Sequence, residues 1–102
     1  MSTVKENLIA AKALIDTPEK WLKYDLRNED RTCFCAIGAI EMAAEYGPNN
    51  GDLFNSPEVI ALASSLPRPS DTWTDVSFFN DRKSTKHPDI MALYDRAIAA
   101  QP

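Results

Sequence analysis

Apolar residues recur every three or four positions in four stretches of the chain, and this spacing predicts helices. In the first stretch, Val4, Leu8, Ala11 and Ile15 share one face, and Ile9 and Leu14 widen the stripe. Ser2 or Thr3 precedes it as a cap. Pro18 predicts an end near Asp16 or Thr17, because the residue before a proline avoids helical geometry. The second stretch runs from Cys35 to Tyr46, with Phe34, Ile37, Ile40 and Ala44 on one side and Gly47-Pro48 as a stop signal. Ser56-Pro57-Glu58 opens a third, shorter helix carrying Val59, Leu62, Ala63 and Leu66, which Pro67 and Pro69 close. The last begins between Thr85 and Pro88 and reaches about Ala100, with Ile90, Tyr94, Ala97 and Gln101 in line.

The intervening segments carry weaker signals. Thr17-Pro18-Glu19 reads as the start of one short turn through Trp21 and Leu22. Lys23 to Leu26 and Arg31 to Phe34 flank the turn signal Asn28-Glu29-Asp30 and offer a short two-stranded hairpin, although their alternation is poor. Asn49-Asn50-Gly51-Asp52 reads as a loop. Residues 67–84 show no period and read as a long irregular connection, whose Trp73, Val76, Phe78 and Phe79 argue that it is packed down. The expected fold is therefore mainly α: one domain over residues 1–102, a bundle of about four helices, with room for a hairpin between the first two long ones.

Composition narrows the functional classes. A hydrophobic content of 44% with 25% charged residues is that of an ordinary globular chain. No apolar run approaches the roughly 20 residues that a membrane span requires. The N-terminal sequence has no basic start followed by an apolar run, so the chain reads as cytoplasmic. Net charge is −4 and is shared evenly, −2 in residues 1–51 and −2 in residues 52–102. With no basic half to meet a phosphate backbone, nucleic-acid binding is disfavoured.

Cys35-Ala36-Ile37-Gly38-Ala39, then Phe79-Asn80-Asp81, then Arg96-Ala97-Ile98 form a recognisable order, with Trp21 upstream and Thr85 between the last two groups. In this the chain resembles a group of small bacterial and bacteriophage proteins classed only as a domain of unknown function. The resemblance implies a fold and a set of positions, and no reaction. The chain departs from that pattern in the 67–76 segment and in its second thiol, Cys33.

Few residues suggest chemistry. Cys35 at a helix start would sit where the helix dipole favours a thiolate, and His87 with Asn80 or Asp81 could complete a nucleophile, base and orienting group. Against this, cysteine often behaves as a small buried hydrophobe, and His87 beside Pro88 occupies a typical exposed position. Cys33, Cys35, His87 and Asp89 could in principle hold a zinc ion, but Cys-x-Cys lacks the usual ligand spacing, so two reduced core thiols and no metal are expected. Asn80 and Asp81 could bind a polar ligand, although such residues more often bond nearby backbone. Trp21, Trp73, Phe78 and Phe79 lack a basic stripe and are expected in the core. Arg96 is expected to pair with Asp89 or another carboxylate at the surface. No Gly-rich phosphate loop, nucleophile elbow or His-Glu-x-x-His motif occurs, so no cofactor is implied. The leading expectation is an accessory protein that acts by binding a protein partner. A cysteine-dependent hydrolase or transferase is the alternative, and self-association through an apolar helix face is a third possibility.

Overall fold

The computed structural model describes residues 3–46 and 51–102. Most of the helices start where a side chain or a proline relieves the orphan amides of the first turn. Helix α1 (Val4–Leu14) is closed by a reciprocal pair, in which Thr3 Oγ1 accepts from Glu6 N and Glu6 Oε1 accepts from Thr3 N. Helix α2 spans Ala36–Ala43 with Cys35 as its cap, and helix α3 spans Pro57–Ser64, where Ser56 Oγ accepts from Val59 N. Helix α5 (His87–Ala99) begins with Lys86 N donating to the Asp89 carboxylate. Two single 3-10 turns, Pro18–Lys20 and Gly51–Leu53, lie in the connections.

The fifth helix, α4 (Trp73–Asp81), corrects the expected irregular stretch. Threonine, serine and aromatic residues are poor helix formers, and only Val76 and Asn80 of this helix are buried, so no apolar stripe marks it in the sequence. Tertiary bonds to Asn80 and a hydroxyl-bound Asp75 at its start hold it instead.

Helix α2 also ends earlier than expected. Glu45 takes the left-handed conformation (φ 60°), Tyr46 N donates to Glu41 O and Glu45 N to Met42 O, so a Schellman turn closes the helix after Ala43. The Gly47-Pro48 stop and the Asn49-Asn50 part of the predicted loop lie outside the described residues.

The predicted hairpin is reduced to two isolated bridges, and no sheet forms among the described residues. Phe34 pairs in parallel with Trp21 and antiparallel with Arg27, so one residue sits between two passes of the same arching segment. Leu22 N donates to Phe34 O and Phe34 N to Lys20 O on one side; Cys35 N donates to Leu26 O and Asn28 N to Cys33 O on the other. The turn at Asn28 forms where expected, its side-chain oxygen accepting from Thr32 N and Cys33 N. An arch that must return to the same residue leaves no length for paired strands.

Helix α2 is the centre of the bundle. It packs against α1, α3 and α4, while α5 closes over α1 and α3. The core contains Leu8, Ile15, Ile37, Ile40, Leu62 and Tyr94, all essentially inaccessible to water. Tyr94 is buried because its hydroxyl donates to Ala36 O in the first turn of α2. No buried side-chain nitrogen or oxygen among the described residues lacks a partner. No helix there is long and apolar enough to cross a membrane.

Candidate functional site

Of the predicted site residues, Cys35, Asn80 and Asp81 converge on the start of α2, where the arch 20–28, α4 and α2 meet. Asn80, 2% exposed, spends its whole side chain there. Its Oδ1 accepts from Trp21 Nε1 (2.7 Å) and from Ala36 N (3.0 Å), and its Nδ2 donates to Leu22 O (3.1 Å) and Asp81 Oδ1 (2.9 Å). One amide thereby satisfies an orphan N–H of α2 and ties the arch to α4. Asp81 Oδ1 also accepts from Tyr24 N (2.8 Å), and Lys23 Nζ donates to Arg82 O.

Cys35 caps α2, its Sγ accepting from Gly38 N at 3.3 Å. Burial pushes this thiol up to about 11, outweighing the backbone amides that pull the other way. The thiolate that a helix start was expected to favour is therefore disfavoured at neutral pH, and the sulfur acts as a small apolar cap. Gly38 is fixed by crowding: a Cβ there would lie 1.8 Å from Leu26 O, the same carbonyl that accepts from Cys35 N.

His87 is half-buried rather than exposed, because its Nε2 lies 2.7 Å from Ile15 O and its ring sits beside Trp21. No hydrogen bond joins it to Cys35 among the described residues. Cys33 is half-exposed and donates to Glu19 O, so Cys35 alone belongs to the core; both thiols are free. Among the described residues no three His, Cys, Asp or Glu side chains gather as a metal site, so Cys33, Cys35, His87 and Asp89 do not form one. Arg96 donates to Ser65 O rather than pairing with Asp89.

The Cys-Ala-x-Gly-Ala, Asn-Asp and Trp21 positions thus form one structural knot. A family model described as "Family of unknown function (DUF6197)" matches residues 1–100. The chain belongs to this family. No curated protein and no solved structure is significantly similar to the chain. Membership supplies no reaction, so any chemistry has to be read from what surrounds the knot.

Directly above the knot lies a cleft of about 240 Å³ between the arch and α4, with Leu26, Cys35 and Ile37 in its lining. Trp73, Ser77 and Asp81 line it from α4, at helical spacing, and Tyr24 and Asp25 from the arch. Trp73 leans on Phe54 (centroids 4.7 Å apart, tilted 50°) yet remains 39% exposed. Phe78 is 65% exposed on the same helix, so two of the four aromatics expected in the core are at the surface. Trp21 and Phe79 do pack against the core. Tyr24 is 75% exposed and holds a left-handed backbone (φ 72°), a conformation that a bulky side chain rarely adopts. Sequence reasoning missed Tyr24, Asp25 and Ser77. No local pattern marks a tyrosine that a distant aspartate pins in strain.

Proposed function

We propose that this protein is a binding module that takes a short segment of a protein partner into the cleft between the arch and α4. The observation that carries this reading is Tyr24. Its ring stands in solvent at the cleft wall on a backbone held left-handed by Asp81, and strain kept in a folded protein tends to cluster at ligand clamps. Tyrosine and tryptophan on opposite walls supply rigid apolar area at small entropic cost, the usual chemistry of a binding hot spot.

Size and charge define the occupant. At about 240 Å³ the cleft falls below the roughly 300–1,000 Å³ of sites that enclose whole small molecules, and suits one large side chain of a longer segment. Asp25, which has no partner among the described residues, gives the mouth a negative charge, in a chain at −4 overall. A segment with a large apolar residue next to lysine or arginine is complementary, since a cation can also lie over the Tyr24 or Trp73 ring. The high pKa of Cys35 weighs against the cysteine-dependent alternative.

Selection of a random displayed peptide library on the folded protein tests this. Enriched peptides should pair an aromatic or large aliphatic residue with a basic one, and Tyr24→Ala or Asp25→Lys should each weaken them at least tenfold. Failure to enrich, or enrichment indifferent to both substitutions, would refute it.

A further inference from the structure

The other side of α4 borders a second and larger cleft. Asp75, Phe78 and Phe79 of α4 and its C-cap Arg82 recur at helical spacing and face the α3–α4 connection, residues 66–71, across a space of about 580 Å³. This volume lies within the range of sites that enclose a small molecule. The apolar part comes from Leu66, Phe78, Phe79 and two prolines of the connection. Arg82 stands over the Phe79 ring, its guanidinium carbon 5.9 Å from the ring centroid.

Charge gives the cleft its character. Three basic side chains elsewhere pair with acids: Lys12 with Asp95, Lys20 with Asp16 and Arg27 with Glu41. Arg68 and Arg82 form no ion pair among the described residues, although acidic side chains outnumber basic ones by four. Asp75, one helical turn before Phe78 in the cleft lining, is committed to the connection, accepting from Ser70 Oγ and Thr72 Oγ1. Asp71 is exposed and can accept from a donor on the ligand.

We infer that this cleft binds a small planar aromatic anion, its ring against Phe78 and Phe79 and its carboxylate or phosphate between Arg68 and Arg82. Two guanidinium forks suit a planar or tetrahedral oxyanion better than point charges do. Aromatic faces add ring stacking that an inorganic anion cannot use. A cleft read by charge alone would need no aromatic lining. One read by apolar area alone would not carry two arginines in its lining.

Amide NMR titration with adenosine 5′-monophosphate and with indole-3-acetate tests the inference, with adenosine and inorganic phosphate as controls. Saturable shifts confined to residues 66–71 and 78–82 are expected for at least one aromatic anion, at an affinity tenfold or more above both controls. Whichever of the two binds identifies the anion as phosphate or carboxylate. Arg68→Ala and Arg82→Ala should each weaken binding at least tenfold; both side chains are exposed, so the fold should persist, and Arg82→Lys should recover only part of the loss. Tyr24→Ala should leave it unchanged, which separates this site from the peptide cleft. The inference is overturned by an absence of shifts at millimolar ligand, by shifts elsewhere, by phosphate binding as well as the nucleotide, or by arginine variants that bind normally.

Discussion

Asn80 and Arg82 lie two residues apart at the end of α4 and face different tasks. Asn80 turns inward and uses every hydrogen-bonding position of its amide to join three segments. Arg82 turns outward and gives its charge to no acid among the described residues. The contrast extends along the helix. On the knot side, polar groups are saturated by protein and their removal should cost stability. On the outer side and at the cleft mouths, Arg68, Arg82, Asp25 and the Tyr24 ring are exposed on a rigid frame. The lesson is that a polar residue's spare capacity, more than its identity, separates architecture from recognition.

The comparison can be broken most forcefully at Asn80. Asn80→Ala strands Trp21 Nε1, Ala36 N and Leu22 O, and at about 1–3 kcal/mol per unsatisfied group we expect a loss of about 4 kcal/mol in urea unfolding. A loss below about 1 kcal/mol would show that the knot is not structural. Next comes Gly38→Ala, whose Cβ would press on a backbone carbonyl that is itself in use; overpacking of this kind should cost about 3 kcal/mol.

Cys35 adds a pH dependence. Its thiol is raised from 9.0 to about 11 by burial, so the unfolded chain loses this proton first as pH rises. The associated stability is complete below pH 9 and is lost between pH 9 and about 11, a fall of up to about 3 kcal/mol at 1.36 kcal/mol per pH unit. Tyr46 and Tyr94 are also raised, by burial first, so the diagnostic quantity is the difference from Cys35→Ser. That variant keeps a capping side chain and should show a shallower decline over this window. Equal slopes would place Cys35 in contact with water.

Much of the frame was legible in the sequence. Proline and hydroxyl starts at Ser56-Pro57 and Thr3, and the stripes through Leu8 and Ile90, locate four helices, because buried periodicity and capping act locally. Helix α4 was hidden because bonds to Asn80 and Asp75, rather than an apolar stripe, hold it. The hairpin failed for a related reason, since Phe34 bridges to both Trp21 and Arg27, and no pairing pattern encodes an arch. Asn80 and Asp81 were visible as candidates, and their bonds go to backbone, each other and one indole, as such side chains commonly do. The first cleft could not be read, because Tyr24 owes its conformation to Asp81 far along the chain and its walls join distant segments.

The smallest predicted effect tests the central claim most directly, that Tyr24 is held under strain to present its ring. The measurement is urea unfolding of Tyr24→Gly beside Tyr24→Ala. Glycine accepts a left-handed backbone without penalty, whereas alanine retains it, so the glycine variant should be the more stable by about 1 kcal/mol. It should also be at least as stable as the parent protein while losing the selected peptides. At an unstrained site the order reverses, with glycine below alanine by about 0.5–1 kcal/mol, and that result would contradict the account.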